Sequence, residues 1–171
     1  YPFDTSRPFA WSKVSAVQHL HDHGREAILH VDADAVFIKP RPLSLYVDAP
    51  QARGKDVVWT TGDKKSCVEE ACDIANVSLN TGVFFSRSKQ WTLDFWHRIW
   101  HDFPETIFHH WWEQQAILNF RRKFPLEFIA HSGVVGSEMN YESMWGSRQP
   151  SGGGIIYHYG SGPGSHKYEY L

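Results

Sequence analysis

The stretch ILHVDADAVF, residues 28–37, joins an apolar run to two aspartates, Asp32 and Asp34, which a single residue separates. An apolar run of this length that ends in polar residues predicts a buried strand. Side chains alternate in an extended segment, so we expect both carboxylates on the same side. Two close carboxylates repel each other, and a hard divalent cation with oxygen ligands relieves that repulsion. The stretch therefore predicts a strand that leads into a Mg²⁺ or Mn²⁺ site, with two solvated aspartates on a surface turn as the alternative.

Segments with helix and strand patterns alternate along the rest of the chain. Apolar residues at helical spacing predict helices over residues 11–23, 88–104 and 112–124, and Ser88 is well placed to cap the second of them. Strands are predicted around EAILHVD, DVVWTT, NTGVFFSRS, LEFIAHS and IIYHYG. This alternation is typical of an α/β fold with a largely parallel sheet. In such sheets ligands bind beyond the carboxyl ends of the strands, which is where the two aspartates stand.

Composition narrows the class of protein. The chain has 171 residues, 42% of them hydrophobic, and a formal net charge of -2, so we expect one globular domain and no nucleic-acid partner. No apolar window is long enough for a membrane span, and the chain starts at Tyr1, so we expect any targeting segment upstream. Cys67 and Cys72 do not have the spacing of a zinc site, and both a disulfide and two thiols stay open. Together with the sequon at Asn76, they point toward a secretory compartment.

One family that has such an aspartate pair after a strand is the haloacid-dehalogenase-like phosphatases. HVDADAVF resembles their D-x-D-x-[TV] pattern, which implies a nucleophile at Asp32 and a general acid at Asp34. That fold also needs a later acidic pair after another strand. The segment TTGDKKS offers only Asp63, so this alternative explains little of the remaining chain.

Four segments together resemble a different family. In order, ILHVDADAVF, SLNTGVFFSRSKQWTLDFWHRIW, WWEQQAILNF and IIYHYGSG are similar to motifs of retaining nucleotide-sugar glycosyltransferases of GT-A fold. The likeness is greatest to the group of plant xyloglucan xylosyltransferases, galactomannan galactosyltransferases and fungal Golgi α-mannosyltransferases, and it covers residues 11–160. It implies a Rossmann-like α/β fold in which residues 1–171 form a single partial GT-A domain. A helix precedes Asp32 where that fold has its N-terminal nucleotide-binding strands, so we expect those strands to be lacking.

The resemblance assigns a role to residues in each segment. The metal, Mn²⁺ or Mg²⁺, would be held by Asp32, Asp34 and His158, whose carboxylates and imidazole suit these ions. The residues implied in donor binding are Lys13, Asp32, Ala33, Asp34, Asn80, Thr81, Gly82, Gly160 and Lys167. The residues implied in catalysis are Glu113, Gln114 and Asn80. The candidates for stacking on an acceptor glycan are Trp111, Trp112 and Trp145.

Each of these residues also has an ordinary structural alternative. His158 could be a strand histidine that bonds only to its neighbours, and Glu113 could simply stabilise the first turn of a helix. Related families often continue with H-x-x-G and a lysine after the last histidine. This chain instead reads HYGSGPGSHK, which leaves Lys167 far along the chain.

The activity that the resemblance implies is metal-dependent transfer of a sugar from a nucleotide-diphosphate donor to a glycan hydroxyl, with retention. Such enzymes act in the Golgi or secretory lumen as type II membrane proteins, so we expect a membrane anchor outside this chain. Two alternatives stay open: the phosphatase, and a catalytically silent glycan-binding remnant. The lack of nucleotide-binding strands also leaves open whether these residues are active by themselves.

Overall fold

The computed structural model describes residues 6–37, 42, 44–50, 52–61, 73–136, 141–142 and 156–158. Only the backbone is described for Val36, Leu45, Tyr46, Tyr141, Glu142, Tyr157 and His158. Cys67 and Cys72 lie outside the described residues, so both a disulfide and two thiols stay open.

Short helices and strands alternate along the described chain. The helices are α1 (Ser12–Asp22), α2 (Ser44–Val47), α3 (Gln90–His101), α4 (Trp112–Lys123) and α5 (Pro125–His131). The strands are β1 (Ala27–Val31), β2 (Ala35–Phe37), β3 (Val57–Thr61), β4 (Leu79–Arg87), β5 (Ser132–Val135), β6 (Tyr141–Glu142) and β7 (Ile156–His158). The predicted α/β class is therefore confirmed.

Four strands form the main sheet in the order β1-β4-β3-β5. β4 is antiparallel to both of its neighbours, β1 and β3, whereas β3 and β5 are parallel. The expected largely parallel pairing is therefore wrong, because the reversed β4 lies between β1 and β3. Parallel neighbours need a long crossover, usually a helix, and the described part of the link from β3 to β4, residues 73–78, forms turns. The reversal brings the first residues of β4 to the carboxyl ends of β1 and β3.

Three short strands form a second sheet in the order β2-β7-β6. β2 and β7 are antiparallel, with the backbone of Ala35 opposite that of His158. β6 and β7 are parallel. Because β2 follows closely after Asp32, this pairing brings the late strand β7 near the end of β1.

The helices begin and end at residues that explain their bounds. α1 confirms the helix predicted over residues 11–23, and it ends before Gly24, whose φ of 76° is the left-handed conformation favoured for glycine at a helix end. α3 is also confirmed, but its N-cap is Lys89 without a side-chain cap, so the capping role predicted for Ser88 is wrong. The Ser88 N–H instead donates to the Glu26 carbonyl oxygen at 2.8 Å, which fixes the end of β4 beside the start of β1.

A helix occupies the position of one predicted strand. The segment LEFIAHS was expected to be extended, but most of it forms α5, and β5 starts only at Ser132. Pro125 stands in the first turn of α5, where its missing N–H removes no hydrogen bond and its fixed φ suits a helix. Pro125 thus ends α4, as predicted, and begins the next helix.

An aromatic core lies between one face of the main sheet and the helices. Trp59 of β3 is at its centre, and the centroids of four rings lie 5.4–6.3 Å from it, those of Phe84, Phe95, Trp96 and Phe128. The core role predicted for the aromatic face of α3 is confirmed for Trp91, Phe95, Trp96 and Trp100. The opposite face of the sheet is covered by a second apolar cluster of Ala52, Val58, Val83, Phe85, Val135 and Ile156. Burial of both faces leaves the strand ends as the positions where polar side chains can gather.

A buried polar network links α1, β4 and α3. Trp96 Nε1 donates to Ser86 Oγ at 3.2 Å, and the same oxygen lies 2.9 Å from His21 Nε2. His21 Nδ1 lies 3.0 Å from the Arg25 carbonyl oxygen. Because a carbonyl only accepts, Nδ1 carries a proton, and in the tautomer that is protonated only there Nε2 accepts from the Ser86 hydroxyl. With that tautomer every member of the network has a hydrogen-bond partner.

Replacing Ser86 by alanine is expected to lower the free energy of unfolding by about 1–3 kcal/mol, because it leaves buried nitrogens of His21 and Trp96 without a partner. Urea unfolding measures the change. Ser88→Ala is the matched control, since the Ser88 hydroxyl makes no hydrogen bond to the described residues. If Ser86→Ala lowers the free energy of unfolding by no more than Ser88→Ala does, the result would contradict this description of the network.

Candidate functional site

Three strand ends meet at one edge of the main sheet. The Asp32 N–H, just beyond β1, donates to the Gly82 carbonyl oxygen of β4 at 2.8 Å. β3 ends where β4 begins. Asn80 Oδ1 accepts from the Gly82 N–H at 2.7 Å, a side-chain turn that shapes the start of β4. The segment NTG, residues 80–82, therefore lies beside Asp32.

A turn carries the chain from Asp32 to β2. The Ala35 N–H donates to the Asp32 carbonyl oxygen at 3.0 Å, and Ala33 and Asp34 form the turn between them. The extended conformation expected for the two aspartates is wrong, because this hydrogen bond folds the chain back after β1. The Asp32 side chain is 25% exposed, whereas Ala33 and Asp34 lie at the surface. Convergence of the two carboxylates on one ion stays a prediction.

Lys13 bridges two carboxylates at this edge. Its Nζ lies 2.9 Å from Asp32 Oδ1 and 2.9 Å from Glu113 Oε1. The same Nζ donates to the Thr81 carbonyl oxygen at 3.4 Å. An ammonium has three N–H groups, so each of them has a protein oxygen to face. Since the side chains of Lys13 and Glu113 are only 11% and 4% exposed, this pair is stronger than an ion pair in open water.

Both members of the Lys13–Asp32 pair are held in their charged forms. Burial alone would lower the pKa of Lys13, but attraction to Glu113 and Asp32 outweighs burial and raises this pKa. Burial alone would raise the pKa of Asp32, but the hydrogen bond from His30 and the charge of Lys13 lower it. The edge of the sheet therefore carries fixed ionic charges at neutral pH.

The first turn of α4 contacts Thr81 of β4. The Thr81 hydroxyl donates to Glu113 Oε1 at 2.9 Å, and the Thr81 N–H donates to Gln114 Oε1 at 3.2 Å. The Gln114 amide nitrogen donates to none of the described residues. The structure thus brings Glu113 and Gln114, predicted to be catalytic, together with Thr81, Lys13 and Asp32, which were predicted to bind the donor.

One carboxylate oxygen of Glu113 has no partner among the described residues. Its Oε1 is bonded to Lys13 and Thr81, while its Oε2 is buried and has no hydrogen-bond partner among the described residues. A buried polar atom left unpaired costs free energy, and proteins seldom retain one without a reason. A hydroxyl group that entered the site could donate to this oxygen.

Trp112, directly before Glu113, has a strained backbone. Its φ is 39°, in the left-handed region that bulky residues rarely adopt. Its side chain packs against the aromatic core. Strain of this kind persists only where the surrounding structure enforces it, and it is frequent at active sites. The Trp112 conformation sets the direction in which α4 begins, and hence where Glu113 and Gln114 lie.

The other predicted site residues are distributed more widely. Trp111, at the N-cap of α4, is 50% exposed, and its ring centroid lies 5.1 Å from that of His110. Trp145, Gly160 and Lys167 lie outside the described residues. Their roles, like acceptor stacking by Trp111 and Trp112, stay predictions.

The predicted metal ligands are two carboxylates and an imidazole. The backbone of His158 lies opposite Ala35, the residue that follows Asp34, so β7 brings His158 close to the turn. Among the side chains that the structure describes, no group of three or more His, Cys, Asp or Glu is arranged to hold an ion. Oxygen ligands with one imidazole nevertheless suit Mn²⁺ or Mg²⁺, and the strand pairing brings their chain positions together. The residues therefore fit such an ion, and ligation stays a prediction.

Sequence reasoning missed one residue of the site, His30. Its Nε2 lies 2.8 Å from Asp32 Oδ1. The spacing of His30 and Asp32 in the sequence could have revealed this contact, because side chains two residues apart in a strand lie on the same face. The prediction of β1 therefore already implied that His30 and Asp32 are neighbours on one face.

An α/β sheet with ionised side chains and amides at its strand ends is typical of enzymes that bind a charged ligand beyond the strands. The chain belongs to the nucleotide-diphospho-sugar transferase family, whose model matches residues 4–142. It is therefore a glycosyltransferase, with a nucleotide-sugar donor and an acceptor as its substrates.

The fold is shared with a solved glycosyltransferase. The chain is similar to the protein described as a glycosyltransferase involved in the glycosylation of the major capsid of PBCV-1, at 15% identity and a TM-score of 0.59. The match covers 94% of this chain and 77% of that one. At this identity the likeness shows the fold alone. None of the curated proteins compared with the chain matches it. Within the described residues, no helix has the length and apolar character to cross a membrane.

Proposed function

We propose that this protein transfers a sugar from a nucleotide-diphosphate donor to a glycan hydroxyl, with a divalent cation and with retention of the anomeric configuration. The observation that carries the proposal is the cluster in which Lys13 joins Asp32 to Glu113, while Glu113 keeps a buried oxygen without a described partner. Family membership supplies the class of reaction. The contacts of the cluster support the finer assignments.

A divalent cation suits the charges at the sheet edge. Asp32 and Glu113 share the single positive charge of Lys13, and Asp34 adds a further carboxylate on the same turn. Asp32, Asp34 and His158 would hold Mn²⁺ or Mg²⁺ there. When bound, such an ion neutralises the diphosphate of the donor and the charge that develops on the leaving group.

The donor diphosphate would lie over the turn at Ala33, and Gly82 would allow close approach of the backbone. Lys13 would act on the donor through its charge, because its N–H groups already face protein oxygens. We assign Gly160 and Lys167 to the same part of the donor by resemblance.

The donor sugar would bind at Glu113 and Gln114. A sugar hydroxyl both donates and accepts a hydrogen bond. Glu113 Oε2 is a buried acceptor without a described partner, and the Gln114 amide nitrogen is a donor that no described residue uses. The two groups come from consecutive residues of α4 and are held by Thr81, so together they match one face of a polyhydroxylated ring. Asn80 would add its amide from β4.

Retention places the departing diphosphate and the attacking acceptor hydroxyl on the same face of the sugar. Glu113 and Gln114 would lie on the opposite face of that ring. In a two-step route Glu113 is the candidate nucleophile. Its Oε2 would attack the anomeric carbon as the bond to the diphosphate breaks, and the acceptor hydroxyl would then displace the carboxylate. In a one-step route the Glu113 carboxylate would stabilise positive charge on the ring without forming a bond.

The acceptor and the compartment follow from the resemblance. Trp111 is exposed next to the start of α4, where its ring could stack on an acceptor glycan. Trp112 and Trp145 are the further candidates. We assign the protein to the Golgi or secretory lumen, as part of a type II membrane protein.

An assay of the full-length protein with a panel of nucleotide-diphosphate sugars tests the proposal. We expect sugar transfer, or slow donor hydrolysis, that stops when EDTA removes the metal and returns when Mn²⁺ is added. We also expect the product to keep the anomeric configuration of the donor, which NMR reads directly. Transfer that is undiminished in EDTA would contradict the metal-dependent part.

The same assay separates the two alternatives. A phosphatase of the haloacid-dehalogenase type would release phosphate from simple phosphate esters and carry a phosphoryl group on Asp32. A silent glycan-binding remnant would bind glycans without turnover and without a need for metal. Family membership favours transfer over both.

A further inference from the structure

His30 is held rigidly beside the site. It lies on β1, and its backbone is paired with that of Phe84 on β4. Its ring stacks on the Phe84 ring, with centroids 4.8 Å apart and planes inclined by 21°. Its side chain is 19% exposed. Stacking on a fully buried phenylalanine leaves the imidazole little freedom to rotate.

The rigid imidazole contacts one particular oxygen of Asp32. His30 Nε2 lies 2.8 Å from Asp32 Oδ1, the same oxygen that Lys13 Nζ contacts at 2.9 Å. Because a carboxylate only accepts, Nε2 must carry a proton. Two donors on one oxygen, one from β1 and one from α1, fix the plane of the carboxylate.

Metal-binding carboxylates depend on such outer contacts, because a ligand that rotates freely must be ordered when the ion binds. We infer that His30 is a positioning residue, which orients the Asp32 carboxylate toward the divalent cation and so sets the affinity of the site for that cation. The inference rests on the proposed function, in which Asp32 is a metal ligand. It adds a residue to which neither the sequence motifs nor the family resemblance assigns a role.

Two substitutions separate the hydrogen bond of His30 from its packing. His30→Phe keeps an aromatic ring against Phe84 and removes the donor to Asp32. His30→Gln keeps an N–H donor on a side chain of comparable reach and removes the ring. A residue that only fills space would be replaced better by phenylalanine, whereas a positioning residue would be replaced better by glutamine.

Mn²⁺ binding to the full-length protein without nucleotide tests the inference, with free Mn²⁺ measured by electron paramagnetic resonance. We expect His30→Phe to weaken Mn²⁺ binding by about 10- to 100-fold and His30→Gln to recover most of that loss. His101→Phe, on the exposed end of α3, is the matched control and should bind Mn²⁺ as the wild type does.

Two results would overturn the inference. If His30→Phe binds Mn²⁺ as the wild type does while Asp32→Asn does not, His30 has no positioning role and the proposed function stands. If His30→Gln binds Mn²⁺ as weakly as His30→Phe does, and urea unfolding shows that both variants are destabilised to the same degree, the role of His30 is packing alone. Unchanged Mn²⁺ binding in Asp32→Asn would instead remove the proposed metal site itself.

Discussion

Replacing Asp32 by asparagine is expected to reduce kcat/KM for sugar transfer by about 100-fold or more, because a metal ion contributes several kcal/mol of transition-state stabilisation and each ~1.4 kcal/mol is tenfold in rate. Asparagine keeps the size of the side chain and one acceptor oxygen but loses the charge. The full-length protein, assayed with its best donor over a range of Mn²⁺ concentrations, gives the measurement. Part of the activity should return at high Mn²⁺, since the change would weaken a proposed metal ligand without blocking the site.

Asp22→Asn is the matched control for Asp32→Asn. Asp22 is the last residue of α1, at the opposite end of that helix from Lys13, and it is exposed. The control should leave kcat/KM unchanged. Equal activities of Asp32→Asn and Asp22→Asn, with both proteins folded, would contradict the assignment of Asp32 to the metal site.

Replacing Lys13 by methionine is expected to lower the free energy of unfolding by about 3–5 kcal/mol, the usual result when one member of a buried ion pair is removed. Methionine retains the length and the apolar stem of lysine. What is lost is the charge between Asp32 and Glu113, and the Glu113 side chain is only 4% exposed. Urea unfolding at neutral pH gives the measurement. Lys89→Met, at an exposed N-cap, is the matched control and should cost little.

The loss of unfolding free energy in Lys13→Met should depend on pH and on the buried charge of Glu113. The pKa of Asp32 is lowered in the folded protein, so this carboxylate stabilises the fold above its unfolded pKa, and that contribution disappears as the pH falls through the folded pKa. The difference between wild type and Lys13→Met should therefore be largest near neutral pH and shrink below about pH 4. Adding Glu113→Gln should restore part of the stability, because it removes the buried charge left behind. Two results would contradict the bridge that Lys13 forms between Asp32 and Glu113. One is a loss of unfolding free energy in Lys13→Met that does not change with pH. The other is a double variant that is less stable than Lys13→Met alone.

The local spacing of apolar residues predicted most of the helices and strands, but it did not predict the direction of the strands in the sheet. The spacing of apolar residues predicted α1, α3 and α4, because each helix buries one face that a local repeat reveals. The reversal of β4 depends on how the chain returns from β3, which no local repeat encodes. The segment LEFIAHS was ambiguous, since its apolar residues satisfy both periods, and the proline before it was the signal for a helix.

The site was predicted as a set of residues and not as a set of contacts. The motifs indicated Asp32, Asn80 to Gly82, and Glu113 with Gln114, and the structure brings them to one edge of the sheet. The bridge from Lys13 to Glu113 joins α1 to α4, and a contact between two helices that are distant in sequence is decided by tertiary packing. The turn after Asp32 was only the alternative to an extended conformation, because the hydrogen bond from Ala35 overrides the alternation expected in a strand. His30 was within reach of the alternation rule but was not considered.

Anomalous diffraction from crystals of the full-length protein grown with Mn²⁺ and a nucleoside diphosphate tests the central claim most directly. We expect one Mn²⁺ peak at the turn after β1, within bonding distance of oxygens of Asp32, Asp34 and the diphosphate, with the His158 imidazole as a further ligand. A diphosphate bound elsewhere, or bound at this edge with no Mn²⁺ at Asp32, would contradict it.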